Sequence, residues 1–334
     1  MSKDKIIKWG IIGIGKIAHK FASDLQPIEN AELLAVASTS LERATDFAQK
    51  FGAKYIYNQY EAIFQTPDLD AIYIATTHAT HAEHTILCLN NKMPVLCEKP
   101  LAINALQVEK MLEAAQENDT FLMEAMWTRF LPATKKLLNL IFEENAIGKI
   151  KTIHADFGFL APFIPEKRIF NPDLGGGALL DIGIYPAYLS LLLLGYPSEI
   201  QSVSTFSETG VDETTSFILK YNNDATAVLN CSFVATTRTD AIIYGENGYI
   251  YIHPRFIETK KITLYKKDAE PVDYTFERET IGYNYEIEEV NNCLRENKKQ
   301  SDLMPHSMSR QLINLLDAIR QKSGIVYAAD APNP

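Results

Sequence analysis

One stretch constrains this chain more than any other: the short apolar run at residues 6–12 leads without a break into Gly13-Ile14-Gly15-Lys16-Ile17-Ala18. This is Gly-x-Gly-x-x-Ala at a strand-to-helix junction. Gly13 permits a tight turn, Gly15 lets backbone amides approach a pyrophosphate, and Ala18 allows close helix–strand packing. The helix that starts at Lys16 and Ile17 then offers its positive dipole end to phosphate.

The pattern downstream gives this motif its context. Residues 32–37, 71–76, 94–97 and 121–126 read as apolar strands, and helical segments separate them. Leu41 to Phe51 reads as a helix stopped by Gly52, and Asn104 reads as the cap of another, with Gln107 as its capping-box partner. Such alternation predicts a doubly wound parallel sheet of Rossmann type over residues 1–127. After Trp127 the alternation stops. A helix at 133–143, a strand at 151–159 and strand-like runs at 200–206, 216–219, 227–233, 241–244, 249–253 and 262–265 follow, with closing helices at 286–296 and 309–322. Residues 128–330 therefore read as an α+β domain with a mostly antiparallel sheet, and the tail 331–334 as loose.

The end of the second strand bears on cofactor choice. NAD sites usually carry Asp or Glu there to accept from the ribose 2′-hydroxyl. Here the residues are Ser38-Thr39-Ser40, with Arg43 one turn into the helix. Hydroxyls and a guanidinium suit a 2′-phosphate, so NADP is the expected cofactor and NAD the alternative. Ser40 also reads as a helix cap and Arg43 as a solvated charge. Thr76, His78 and His81 follow a strand end and are expected beside the cofactor. His78, His81 and His84 lack the companions of a tetrahedral metal site, and no metal is expected.

Composition narrows the function classes. A net charge of -10 argues against nucleic acid as the main partner. No apolar run reaches the roughly 20 residues of a membrane span. The N-terminus carries no signal-peptide pattern, and Cys88, Cys97, Cys231 and Cys293 lack metal-type spacing. A cytoplasmic protein with reduced thiols is expected.

The second chemical stretch is Leu174-Gly175-Gly176-Gly177-Ala178-Leu179-Leu180-Asp181-Ile182-Gly183-Ile184-Tyr185. Three glycines read as a loop that approaches a ligand, followed by an apolar helix closed at Gly195. Asp181 and Tyr185, four apart, share a helix face. A carboxylate and a phenol on an apolar helix are either satisfied by one another or functional.

These motifs, with Leu96-Cys97-Glu98-Lys99-Pro100 and the run from Met123 to Phe130, resemble the glucose–fructose oxidoreductase / inositol dehydrogenase / rhizopine-catabolism (Gfo/Idh/MocA) family, and within it the dimeric dihydrodiol dehydrogenase branch. The likeness runs over nearly the whole chain. It implies hydride transfer between a nicotinamide cofactor and a secondary alcohol of a cyclic trans-diol or an aldopyranose such as D-xylose. Inositol or other sugar dehydrogenation, or a non-catalytic dinucleotide-sensing regulator, are the alternatives.

Many members of that family carry His where this chain has Tyr185. A free phenol has a pKa of about 10, so Tyr185 as a base needs its phenolate stabilised. Lys99 is the expected source of positive charge, with Asp181 orienting the substrate or the phenol. Glu98 and Lys99 are also expected near the cofactor. Trp127, Arg129 and Phe157 are candidates for substrate contact, though Trp127 and Phe157 read equally as core. In the mammalian branch an Arg stands where this chain has Thr39, which leaves Arg43 as the matching base. The resemblance also implies a homodimer formed through the open face of the C-terminal sheet.

Overall fold

A computed structural model describes residues 5–331, and the first residues and the end of the tail lie outside it. In chain order the elements are β1 (Ile7–Ile12), α1 (Lys16–Leu25), β2 (Ala31–Ala37), α2 (Leu41–Phe51), β3 (Tyr55–Tyr57), β4 (Ala71–Ile74), α3 (His81–Asn90), β5 (Val95–Glu98), α4 (Ala105–Glu117) and β6 (Leu122–Ala125). Then come α5 (Pro132–Leu138), β7 (Ile150–Gly158), α6 (Ile184–Leu194), β8 (Glu199–Phe206), β9 (Asp212–Lys220), β10 (Thr226–Ser232), β11 (Ala241–Gly245), β12 (Gly248–Ile252), β13 (Lys261–Lys266) and β14 (Val272–Thr275). Helices α7 (Asn284–Arg295) and α8 (His306–Ser323) close the chain.

The chain divides into two compact units. One runs to Phe130 and takes up again at Arg278–Arg310; the other holds Leu131–Glu277 and everything from Gln311 onward. The first boundary falls three residues beyond the expected 127/128. The return of 278–310 to the first unit departs from the expected single cut, and its physical cause is on α1 and β1. Asp24, buried on α1, accepts the backbone N–H groups of Ile281, Gly282 and Tyr283 at 3.1, 2.7 and 2.8 Å. Trp9 Nε1 on β1 donates to Asn291 Oδ1 on α7 at 3.0 Å. Bonds to a charged acceptor each contribute roughly 1.5–3 kcal/mol, enough together to hold a returning segment.

The first unit is a six-stranded parallel sheet in the order β3-β2-β1-β4-β5-β6. Its order reverses between β1 and β4, and the carboxyl ends at such a switch point form a ligand crevice. Ile12, the last residue of β1, lies between Ala37 of β2 and Ile74 of β4, so Gly13 opens into that crevice. The apolar face of α1 meets β1 and β4 through Phe21, Trp9 and Tyr73, with Phe21 and Tyr73 stacked at 3.8 Å. An aromatic pair of this kind adds about 0.5–1.5 kcal/mol beyond the area it buries.

The second unit is an eight-stranded sheet in the order β14-β13-β12-β11-β7-β10-β9-β8. β7 and β10 pair parallel; the remaining neighbours among the described residues pair antiparallel. Helix α6 packs on β7 and β10. A Cβ at Gly183, just ahead of α6, would sit 2.7 Å from Cys231 Sγ of β10, so only glycine lets the chain lie this close. The stretch Pro172–Leu194 is long and apolar enough to cross a membrane, which amends the sequence expectation, but 89% of its apolar window is buried inside the fold. Its apolarity is that of a core helix. All four cysteines are buried free thiols.

Candidate active site

The cradle of the first unit is set by two glycines with opposite needs. Gly13 has φ +85°, and a Cβ there would stand 2.8 Å from the carbonyl carbon and oxygen of Ala75. It is glycine because β4 leaves no room. Gly15 is extended, and a Cβ on it would meet nothing within 4 Å. It faces open space at the start of α1, where Lys16 is exposed and Ile17 half-buried. No side chain among the described residues caps α1, so the first N–H groups of that helix are donors for a phosphate. An open backbone, an uncapped helix start and a strand crossover fit a dinucleotide.

At the end of β2, Ser38 is buried and its Oγ accepts from Ser40 N at 3.3 Å. Thr39 is exposed. Ser40 does cap α2, accepting from Arg43 N at 3.4 Å. The Arg43 guanidinium folds back over the glycine turn and donates to Ile14 O at 3.1 Å. Arg43 is exposed, and this bond ties its guanidinium to the cradle.

His78 and His81 meet ring to ring, while His84 turns to Thr76 and Tyr60. His78 is buried in a short turn, His78–Thr80, with its ring 5.6 Å from that of His81. His84 Nδ1 shares a 3.1 Å hydrogen bond with Thr76 Oγ1 at the end of β4, and its ring lies 4.7 Å from that of Tyr60. His81 Nδ1 donates to Pro100 O at 2.8 Å. Burial lowers the His81 pKa to about 4, so the ring is neutral across the working range.

That Pro100 contact belongs to a clamp around Lys99. The Lys99–Pro100 peptide is cis. Glu98 is buried, accepts from the Tyr73 hydroxyl through Oε1, and accepts from Lys99 N at 3.2 Å through Oε2. Burial, then the Glu98 charge, raises the Tyr73 phenol well above its usual value, so it remains a donor. Glu124 on β6 accepts from Leu101 N at 3.0 Å. Burial pushes the Glu124 carboxyl up to about 7, held back by Ser309, Leu101 N–H and Lys99. Glu98, Lys99, Pro100 and Leu101 are therefore held by side chains from β4, α3 and β6. Lys99 itself is half-buried.

Trp127 is buried, with its ring stacked on Tyr283 at 4.8 Å and 3°. Arg129 Nε donates to Leu303 O at 3.0 Å, inside the first unit.

In the second unit, Asp181 lies in a single π-helical turn, Leu179–Gly183, and Tyr185 in the first turn of α6. The sequence expectation of one regular helix is corrected here: a wider turn carries the carboxylate, a feature often found at functional sites. The expected role of the glycines is corrected too. A Cβ on Gly176 would fall 2.6–2.8 Å from the carbonyl oxygens of Arg168, Ile169 and Asn171, and one on Gly177 (φ +119°) 2.3 Å from Asp212 Oδ1. Gly176 and Gly177 are glycine because the protein's own groups close over them.

Arg168, on the preceding loop, pairs with Asp181, its Nη2 3.0 Å from Oδ2. Tyr185 is buried, with the Phe157 ring of β7 at 5.8 Å. The structure thus brings Asp181, Arg168, Tyr185 and Phe157 into one region of the second unit. Arg168 and Glu124 were not found from sequence. Arg168 stands thirteen residues ahead of Asp181 across a loop, a spacing that no periodicity connects. Glu124 is one polar residue inside an otherwise apolar strand, with no spacing that marks it.

Comparison with known proteins agrees with this layout. An oxidoreductase family with an NAD-binding Rossmann fold matches residues 7–126, and the GFO/IDH/MocA C-terminal domain matches residues 136–251. A Danio rerio protein named trans-1,2-dihydrobenzene-1,2-diol dehydrogenase is 37% identical, covering 97% of this chain and 99% of its own. The Homo sapiens protein of the same name is 33% identical with the same coverage. A 3-ketoreductase from Actinomadura kijaniata, solved with NADP and TDP-benzene, superposes with a TM-score of 0.86 at 24% identity, covering 95% of this chain and 98% of its own. An aldose–aldose oxidoreductase from Caulobacter crescentus, solved with glycerol, gives 0.87 at 20% identity over 96% and 98%. These two likenesses show the fold. With both halves matched and relatives of this identity along nearly its full length, the chain belongs to the Gfo/Idh/MocA family of oxidoreductases and its first unit is an NAD-binding Rossmann domain.

Proposed function

We propose that the protein is an NADP-dependent dehydrogenase acting on a secondary alcohol of a small cyclic trans-diol or an aldopyranose. The nicotinamide, when bound, supplies the hydride acceptor. The uncapped start of α1 beyond Gly13 and Gly15 binds the pyrophosphate, with Lys16 and Ile17 in its first turn. Ser38, Thr39 and Arg43 receive the 2′-phosphate, and Thr76, His78, His81 and Glu98 line the strand ends beside the cofactor. Tyr185 removes the hydroxyl proton, which requires its phenolate to be favoured, and Lys99 serves the reaction from the strand end beside the nicotinamide. Asp181, held by Arg168, orients the substrate hydroxyls. Phe157, beside Tyr185, offers apolar surface to a ring; Trp127 and Arg129 are the first unit's candidates for substrate contact.

The observation that carries this reading is the Asp181 carboxylate, paired with Arg168 of the preceding loop, on the same helical stretch as the buried Tyr185. The names of the relatives favour a dihydrodiol of benzene as the first compound to try. A screen of diols, pentoses and inositols, followed by NADPH absorbance, tests it. Turnover of a diol or pentose is expected. Tight NADP binding without turnover of any of them would instead indicate a dinucleotide-sensing regulator.

The same reading includes a homodimer in the cytoplasm. Val203, Ile218 and Val228, on β8, β9 and β10, are exposed on one sheet face, along a groove of about 590 Å³ that Val203, Ile218 and Val228 help line. Four free buried thiols suit a reducing compartment. Light scattering on the purified protein tests the dimer, with a mass of two chains expected.

A further inference from the structure

The turn that precedes Asp181 is fastened from a part of the chain far away in sequence. Gly176 N donates to Asn171 O at 2.9 Å, and Gly177 N donates to Ile169 O at 2.9 Å. These bonds join the turn to the loop that carries Arg168. The carbonyl of Gly176 is taken by Tyr327, whose hydroxyl donates to it at 2.7 Å. Asp212, fully buried at the start of β9, accepts from Leu179 N at 2.7 Å and from the Thr215 hydroxyl at 2.8 Å. A Cβ on Gly177 would stand 2.3 Å from Asp212 Oδ1 and 2.8 Å from the Tyr327 hydroxyl. Gly177 is therefore glycine because these two groups close over it.

Tyr327 comes from the segment beyond α8, and that segment is itself anchored. Arg320 on α8 reaches Asp330 through Nη1 at 2.7 Å and Nη2 at 3.1 Å. Asp330 Oδ2 accepts from Tyr327 N at 2.9 Å, and the Arg320 guanidinium lies 5.1 Å over the Tyr327 ring. Arg320 is almost wholly buried, so this is a fixed brace rather than a surface ion pair. Burial, then the Asp212 charge, raises the Tyr327 phenol well above its usual value, which keeps it a donor.

We infer that Tyr327 is a positioning residue for the reaction: its hydroxyl sets the turn from which the Arg168 loop and the Asp181–Tyr185 stretch are held together. The inference rests on the reading of Asp181 and Tyr185 given above. Tyr327 is buried and its hydroxyl is engaged by the Gly176 carbonyl, so its effect is on geometry. Small misplacements of reacting groups have large effects on rate.

The test compares Tyr327→Phe and Tyr185→Phe with the wild-type protein, using NADP and trans-1,2-dihydrobenzene-1,2-diol as the probe. Three quantities are read: kcat, the NADPH dissociation constant by fluorescence, and amide hydrogen exchange over residues 174–185. For Tyr327→Phe, kcat is expected to fall about tenfold or more, with NADPH affinity within about twofold and faster exchange at 174–181. A kcat and exchange equal to wild type overturn the inference, while an inactive Tyr185→Phe in the same series leaves the reading of Tyr185 standing. Full turnover by Tyr185→Phe removes that reading, and the inference with it. If the wild-type protein turns over no probe, exchange alone decides: unchanged rates at 174–181 overturn the brace. Should Tyr327→Phe fail to fold, Asp330→Asn keeps the phenol and slackens the segment that carries it. Lower kcat at unchanged NADPH affinity then supports the inference, and unchanged kcat overturns it.

Discussion

Arg168 and Asp181 form an ion pair 3.0 Å long in which the carboxylate is nearly buried and the guanidinium about one-third exposed. Removing the cation leaves a carboxylate in a poorly solvated position without its charged partner, which is the expensive way to break such a pair. Arg168→Met is expected to lower kcat/KM for the alcohol substrate by about 10–100-fold, equivalent to the roughly 1.5–3 kcal/mol of a charge-assisted hydrogen bond. NADPH affinity should be unaffected. Steady-state kinetics with a parallel fluorescence titration checks both halves of this prediction.

Gly13 is the least replaceable residue of the cradle. Its φ of +85° and the Ala75 backbone 2.8 Å from a would-be Cβ oppose any side chain. Gly13→Ala is expected to destabilise the protein by roughly 1–3 kcal/mol and to weaken dinucleotide binding. The contrast is Gly15→Ala, where the protein leaves open space: thermal stability should hold while NADPH binding falls. Thermal unfolding with and without NADPH separates the two effects.

Arg43 is the residue proposed to discriminate between the dinucleotides. Its bond to Ile14 O places the guanidinium at the glycine turn. Arg43→Ala is expected to weaken NADPH binding by about 10-fold or more, the scale of one charge-assisted bond to phosphate, and to leave NADH binding nearly unchanged. Equal losses for both cofactors would remove Arg43 from the 2′-phosphate site.

Glu124 gives a pH-dependent prediction with a definite sign. Its carboxyl is raised by burial from 4.5 to about 7. Between those values the folded protein holds a proton that the unfolded chain has released, so stability falls as pH rises across that window. Relative to Glu124→Gln, which retains an acceptor for Leu101 N, the wild-type protein should lose on the order of 2–3 kcal/mol between pH 4.5 and pH 7 to 8. Denaturant unfolding of both proteins at pH 4.5 and pH 8 measures it. A difference that is flat with pH would show that Glu124 titrates normally.

Much of this architecture is legible in the chain because periodicity is a local property. The parallel strands of the first unit announce themselves as apolar runs, and Asn104 does accept from Gln107 N at 3.0 Å, as its capping pattern predicts. Two strands were not visible: β3 has three residues, and β14 is a mostly exposed edge strand without alternation. The π-helical turn at Leu179–Gly183 was also hidden, since its apolar sequence satisfies either helical period. The return of 278–310 to the first unit depends on Asp24 meeting backbone about 257 residues later, which no local pattern encodes. For the site, residue types pointed to Asp181, Tyr185 and Lys99, while the partners that hold them came only from three dimensions. Arg168 reaches Asp181 across a loop, Glu124 and Asp212 accept backbone N–H groups, and Tyr327 donates to a backbone carbonyl, none of which their sequence spacing encodes.

Tyr185 is proposed to move the proton of the substrate hydroxyl. The most direct test is the turnover of Tyr185→Phe, measured by NADPH absorbance on the best substrate from the screen, with NADPH affinity determined on the same preparation. The substitution removes one oxygen from a buried ring beside Phe157 and leaves the packing in place. The expected result is a kcat lower by about 100-fold or more, the scale of general acid–base catalysis, at unchanged NADPH affinity. Turnover close to wild type would contradict the claim.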